Sequence, residues 1–161
     1  MPLDLVTHNE ILIEAPAKSV WPRLLDLNAW KKGPELVHAE GPINAWGEVF
    51  AATDRISKAV LYFAKVVELV PPECRTIKLF RDHEVNLLGF ASWQLRERDG
   101  LTTVVYDVYA QFEAPSDKAC KRPEAVYEEL EDSRQLEERA RFQEELKQLK
   151  KLVAGVRPPR A

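Results

Sequence analysis

The stretch LGFASWQLRERDGLTTVVYDVYAQFE, residues 88–113, decides the fold. It contains two β-strand patterns, 88–98 and 101–113, on either side of Asp99-Gly100, a dipeptide typical of a tight hairpin turn. In the second pattern alternate residues are apolar, and one face carries Val104, Tyr106, Val108, Ala110 and Phe112. The stretch therefore predicts an antiparallel hairpin with one covered face. We expect Val104, Tyr106, Val108 and Phe112 to lie on that face and Asp107 to face solvent.

Further strand patterns precede the hairpin. Segments rich in β-branched and aromatic residues alternate with the turn residues Gly41-Pro42, Gly47 and Pro71-Pro72. The predicted strands cover residues 5–14, 36–39, 48–55, 59–70 and 75–81. Together with the hairpin, they predict one antiparallel sheet of about six or seven strands.

Two helical segments are predicted, one on each side of these strands. A short helical element near residues 17–32 has Ser19 as its expected N-cap and Pro22 in its first turn. A long helix follows Pro115, where charged residues become frequent. Its clearest signal is an apolar stripe with steps of 4, 3 and 4 residues: Phe142, Leu146, Leu149 and Val153. Apolar residues before this stripe fall on other faces, so we expect a break near residues 132–133.

The composition is that of one globular domain. The chain has 161 residues, of which 45% are hydrophobic and 30% charged. We expect one domain over residues 1–155 and a loose tail over 156–161. The net charge of −3 argues against nucleic-acid binding. The start of the sequence lacks the features of a signal peptide and no apolar run approaches the ~20 residues of a membrane span, so we expect a cytoplasmic protein without stable membrane insertion.

The order of strand, short helix, antiparallel strands and final helix, together with several local motifs, resembles the START/polyketide-cyclase (SRPBCC) superfamily. The motifs of its first strand and helix are Ala15-Pro16, Val20-Trp21, Leu24-Leu25-Asp26 and Trp30. Those of its later elements are Val66-Val67-Glu68, Pro71-Pro72, Trp93, the hairpin at 99–103, and 146–150. The resemblance covers about residues 5–153. It implies an α+β helix-grip fold, in which a curved antiparallel sheet wraps around a long C-terminal helix.

In such a fold the core contains a cavity, and the leading hypothesis is binding of a hydrophobic small molecule there. A lipid, isoprenoid, quinone or polyketide would be held between sheet and helix. The candidate ligand-binding residues are Trp30, Phe50, Phe63, Trp93, Tyr106, Val108 and Phe112. No cofactor is expected, and no metal, because the three histidines lack the spacing of metal ligands.

Two other hypotheses remain open. An aromatase/cyclase on this fold would need an acid/base pair in the cavity, for which the candidates are Tyr62, Arg81, His83, Tyr106 and Asp107. A protein-interaction module similar to the superfamily's cochaperone branch would use the charge-dense segment 116–141. The sequence leaves open the oligomeric state, the ligand and whether any reaction is catalysed.

Overall fold

The computed structural model describes the backbone of residues 2–113 and 123–155 and the side chains of residues 4–111 and 133–155. The elements follow one another as β1 (Pro2–Ile13), α1 (Ala17–Leu25), α2 (Leu27–Trp30), β2 (Glu35–Glu40), β3 (Val49–Thr53), β4 (Val60–Val70), β5 (Cys74–Phe80), β6 (Leu87–Arg98), β7 (Leu101–Glu113) and α3 (Pro123–Gly155). The strands form a seven-stranded antiparallel sheet in the order β1-β7-β6-β5-β4-β3-β2. The sheet and the long closing helix confirm the α+β helix-grip architecture.

The hairpin of β6 and β7 forms where the sequence predicts it. Asp99 and Gly100 have φ values of 53° and 77°, the left-handed conformation that a two-residue type I′ turn requires at both central positions. The chain direction reverses there, so that Arg98 pairs with Leu101 and Trp93 pairs with Tyr106. Strand β1 pairs with the other edge of β7, which places β7 inside the sheet.

The predicted faces of β7 are confirmed where its side chains are described. Val104, Tyr106 and Val108 are buried, while the Asp107 side chain is 47% exposed and is bound by His8 on the outer face. The side chain of Phe112, predicted to share the inner face, lies outside the described residues.

The predicted helical element after β1 is present as α1 and α2, but its expected N-cap is wrong. Helix α1 begins at Ala17 with Pro16 as N-cap, so Ser19 lies inside the first turn. The Ala17 amide donates instead to Glu97 Oε1 of β6, at 2.5 Å. A carboxylate from a distant strand therefore satisfies the first N–H group of the helix, which begins two residues before the expected N-cap.

Helix α3 confirms the predicted stripe and corrects the predicted break. Phe142, Leu146, Leu149 and Val153 are all buried. The helix is continuous from Pro123 to Gly155, so the break expected near residues 132–133 does not occur. A change of apolar face alters which side chains are buried, but it removes no backbone hydrogen bond, and the residues on both sides favour helix. The tail predicted over 156–161 lies outside the described residues.

Candidate functional site

A cavity of about 450 Å³ lies between the inner face of the sheet and α3. Strands β4, β5, β6 and β7 are antiparallel neighbours, so the first residues of β4 and β6 lie beside the last residues of β5 and β7. The cavity is open at this end of the strands. The residues at this end are Leu61, Arg81, Leu88 and Gln111, with Arg134 from α3. The buried Trp93, Tyr106 and Phe142 form the opposite end, which we call the floor.

The floor is a cluster of aromatic rings. Trp93 and Tyr106 are cross-strand neighbours on the inner face, and their ring centroids stack at 5.1 Å. Phe142 of α3 meets Tyr106 at 5.0 Å. Trp30 packs edge-on against Trp93 at 6.1 Å, and its indole Nε1 donates to the Leu24 carbonyl at 3.1 Å. These contacts fix the floor from the sheet and from all three helices.

One charged group enters this aromatic cluster. Lys31 follows the last residue of α2, and its side chain is only 16% exposed. Its ammonium lies 5.1–5.8 Å from the ring centroids of Trp30, Trp93, Tyr106 and Phe142, within cation–π range of all four. Lysine Nζ donates to Tyr106 Oη at 2.8 Å.

The counter-charge of Lys31 comes from α3. Glu145 is fully buried, and its Oε1 lies 3.4 Å from Lys31 Nζ. Its Oε2 accepts the Lys32 backbone N–H at 2.6 Å. The carboxylate thus anchors the chain that leaves α2 to the final helix and neutralises the ammonium at the floor.

Two tyrosine hydroxyls bring neutral polar groups into the cavity wall. Burial raises the pKa of Tyr106 well above its ordinary value, and burial also raises the pKa of Tyr62. Both phenols therefore keep their protons at neutral pH. Tyr106 Oη accepts from Lys31, so its own proton can be donated to another group.

The α3 side of the cavity is rich in charge. Glu138, on the cavity wall, lies 3.2 Å from a guanidinium nitrogen of Arg134 and forms a second ion pair with Arg141. The Arg141 guanidinium carbon is 5.1 Å from the ring centroid of Phe142. Arg141 therefore joins the charged residues of α3 to the aromatic floor.

The seven predicted ligand-binding residues differ in how they relate to the cavity. Trp93, Tyr106 and Val108 line the cavity. Trp30 packs against Trp93 of the floor and is not part of the cavity wall. Phe50 packs against Arg75, with 5.5 Å between its ring centroid and the guanidinium carbon, and is not part of the cavity wall.

Phe63 and Phe112 complete the predicted set. Phe63 alternates with the cavity-lining Tyr62 and Ala64, so it lies on the outer face of the sheet, where it stacks on Phe80 at 5.6 Å. Because of this position we do not retain Phe63 as a ligand-binding residue. Phe112 belongs to a described strand, but its side chain lies outside the described residues.

The sequence predicted only some of the polar residues that line the cavity. Among the candidates for acid/base chemistry, Tyr62, Arg81 and Tyr106 line the cavity, whereas Asp107 faces outward and His83 is not part of the wall. Sequence reasoning missed the four charged residues Lys31, Glu138, Arg141 and Glu145. A signal existed for Glu138 and Glu145, which stand four residues before and three residues after Phe142, on the face that the apolar stripe marks as buried. Arg141 directly precedes Phe142 in the chain, and its position gave no such signal.

Two features are absent from the described residues. Among them, no three His, Cys, Asp or Glu side chains are grouped so as to hold a metal ion. Within the same part of the chain, no helix combines the length and apolarity needed to cross a membrane.

Comparisons with known proteins identify the fold. No family model matches the sequence, and no curated protein matches it. Among solved structures, protein SA2116 of unknown function from Staphylococcus aureus is similar, with a TM-score of 0.62 and 13% identity over 95% of this chain and 98% of that one.

Two further solved structures have printed names that bear on the fold. The Polyketide_cyc-like protein Cgl2372 from Corynebacterium glutamicum has a TM-score of 0.61 and 14% identity over 96% of this chain and 94% of that chain. Ara h 8.0201 has a TM-score of 0.58 and 12% identity, covering 94% of this chain and 99% of that one. The chain thus shares the fold of these three proteins, and the helix-grip fold that the sequence resemblance implied is confirmed.

Proposed function

We propose that the protein binds a hydrophobic small molecule in the cavity between the sheet and α3. The observation that carries this proposal is the cavity itself, since about 450 Å³ of space adjoins an aromatic floor and reaches the surface at one end. Binding sites for small molecules are typically concave, mostly apolar and equipped with a few polar groups. Affinity would come from apolar area removed from water, at roughly 25 cal/mol per Å².

The polar groups near the floor would orient the ligand. Tyr106 has a hydroxyl proton to donate, because its oxygen is already the acceptor for Lys31. Tyr62 also lines the wall, and none of the described residues hydrogen-bonds its hydroxyl. A carbonyl or hydroxyl oxygen on the ligand would satisfy these donors. We take residues 1–155 as the unit that performs this binding.

The aromatase/cyclase hypothesis has one observation in its favour. Lys31 and Tyr106 are hydrogen-bonded at the cavity wall, and a protonated phenol beside an ammonium can stabilise negative charge that develops on a ligand oxygen. The reaction also needs a base, and Glu145 is already bound by Lys31 and by the Lys32 amide. Binding is therefore the primary proposal, with this chemistry as the alternative.

A cavity-blocking variant tests the proposal. Leu88 lines the open end, whereas its neighbour Leu87 is 47% exposed and is not part of the wall. In Leu88→Trp the larger side chain should fill the entrance and weaken binding of the neutral fluorescent probe N-phenyl-1-naphthylamine by about tenfold or more, or roughly 1.4 kcal/mol. Leu87→Trp is the matched control and should bind the probe as the unmodified protein does.

The outcome is read from fluorescence titrations on variants whose circular dichroism matches that of the parent. Equal probe affinity in Leu88→Trp and Leu87→Trp would contradict binding in this cavity. Native mass spectrometry of gently purified protein should in addition detect a co-purified small molecule, and Leu88→Trp should lose it.

A further inference from the structure

The two ends of the cavity differ in how their charges are balanced. At the floor, the Lys31 ammonium is matched by the buried Glu145 carboxylate, so aromatic rings surround a neutral pair. Such a surface suits an apolar group better than an ion, because a further buried charge there would have no counter-charge.

Counted over the described residues alone, the wall nearer the open end has more positive than negative side chains. Its described charged residues there are Arg81, Arg134, Arg141 and Glu138. Glu138 pairs with Arg134, one turn before it on α3, and with Arg141, one turn after it.

Arg141 connects this charge to the apolar part of the cavity. Its side chain is 37% exposed, and its guanidinium lies over the ring of Phe142, which belongs to the floor. One of its nitrogens pairs with Glu138, whereas its buried Nε has no hydrogen-bond partner in the part of the chain that the structure describes. A planar guanidinium presents several N–H groups in a fixed fork that fits carboxylate and phosphate oxygens.

From this asymmetry we propose that the ligand is a single-tailed anionic amphiphile, with its tail on the aromatic floor and its carboxylate or phosphate head at Arg141 near the open end. The inference rests on the proposed function, which it makes specific in chemical class. It predicts discrimination between molecules that share a tail and differ only in the charge of the head.

Calorimetric titration with three twelve-carbon probes below their micellar concentrations tests this directly. Dodecanoate should bind at least about tenfold more tightly than dodecanol, and dodecylamine should bind most weakly because its head is repelled by the guanidinium groups. Added salt should weaken dodecanoate binding and leave dodecanol binding nearly unchanged. Dodecyl phosphate, run in parallel, distinguishes a phosphate head from a carboxylate head.

Arg141→Gln should lower dodecanoate affinity about tenfold while dodecanol affinity stays within about twofold. Arg139→Gln is the matched control, because Arg139 is exposed on the same helix and is absent from the cavity wall. Equal binding of dodecanoate and dodecanol, or an equal loss of both in Arg141→Gln, would overturn the anionic head group and leave cavity binding intact. Failure of every probe, including the neutral naphthylamine, would overturn the proposed function and this inference with it.

Discussion

Two buried ion pairs on the inner side of the sheet differ in how their cations are satisfied. In the first pair, Lys31 donates to Tyr106 Oη and lies 3.4 Å from Glu145. In the second pair, Arg75 Nη2 is 3.9 Å from Glu48 Oε1, and none of the three guanidinium nitrogens has a hydrogen-bond partner among the described residues. The first pair adjoins the cavity, whereas the second lies among β3, β5 and the chain before β3.

The difference shows how much each cation depends on one partner. Glu48 is well held, since it accepts from the Asn44 amide at 2.9 Å and pairs with His38 Nδ1 at 2.6 Å. Arg75 is fully buried, and this burial lowers its pKa to about 10. Among the described residues, Glu48 supplies the negative charge that offsets the loss of solvent around the guanidinium, and the Phe50 ring adds a cation–π contact. Removal of the acid should therefore cost more in the Arg75 pair than in the Lys31 pair.

Glu48→Gln should have the largest effect. It leaves the Arg75 guanidinium buried without a counter-charge, a change that typically lowers the free energy of unfolding by about 3–5 kcal/mol. Chemical denaturation at pH 7 measures this loss. The matched control is Glu35→Gln, whose ion pair with Lys58 is exposed and should contribute no more than about 0.5 kcal/mol. A loss below about 1 kcal/mol in Glu48→Gln would show that Arg75 does not depend on the acid.

Leu149→Ala should come next, because it loosens the helix that carries Glu145. Leu149 is fully buried, and truncation of such a side chain costs about 2–5 kcal/mol through lost burial and the cavity left behind. Lys147→Ala, on the exposed face, should change stability by no more than about 0.5 kcal/mol. Thermal melts compare the two variants, and equal melting temperatures would mean that α3 is not docked through this stripe.

The fold was predictable because its signals are local. The alternation in β7 and the Asp99-Gly100 turn define the central hairpin within 26 residues, and the spacing of Phe142 to Val153 marks the buried face of α3. The errors came from contacts between distant segments. The Ala17 amide is capped by Glu97, 80 positions away, and no local pattern around Ser19 reveals that contact.

The cavity residues likewise divide into those that local patterns predict and those that contacts between distant segments determine. Strand alternation in β7 correctly placed Tyr106 and Val108 on the inner face, where they line the cavity beside Trp93 of β6. Lys31 and Glu145 are 114 positions apart, and each has one buried and one exposed neighbour in the chain. Helical spacing marks the side of α3 that carries Glu145, but the contact between the two residues follows from how α2 meets α3, which residue spacing within either segment does not encode.

Glu145→Gln should destabilise the protein by about 1.5–3 kcal/mol, less than Glu48→Gln. Lys31 keeps its hydrogen bond to Tyr106 and its position at the cavity wall, so its charge is only partly deprived of compensation. Denaturation in urea gives the loss. Glu144→Gln, one residue earlier and exposed beside Lys147, is the control and should stay within about 0.5 kcal/mol. A loss in Glu145→Gln as large as that in Glu48→Gln would remove the proposed distinction between the two pairs.

The smallest effect is expected when both charges of the second pair are removed. Replacing a buried ion pair with apolar or neutral groups of similar size is often neutral, because the desolvation of both ions disappears together with their attraction. Arg75→Met combined with Glu48→Gln should therefore have a free energy of unfolding within about 1 kcal/mol of the parent. Methionine matches the length of the arginine stem and can retain the contact with Phe50.

The single variant Glu48→Gln is the reference for this rescue. If the cost of that substitution comes from the unpaired guanidinium, adding Arg75→Met should recover most of the lost 3–5 kcal/mol. If the cost instead comes from the contacts of Glu48 with Asn44 and His38, the double variant should be as unstable as the single one. Denaturation of the parent, both single variants and the double variant forms a complete cycle, and its coupling energy separates the two explanations.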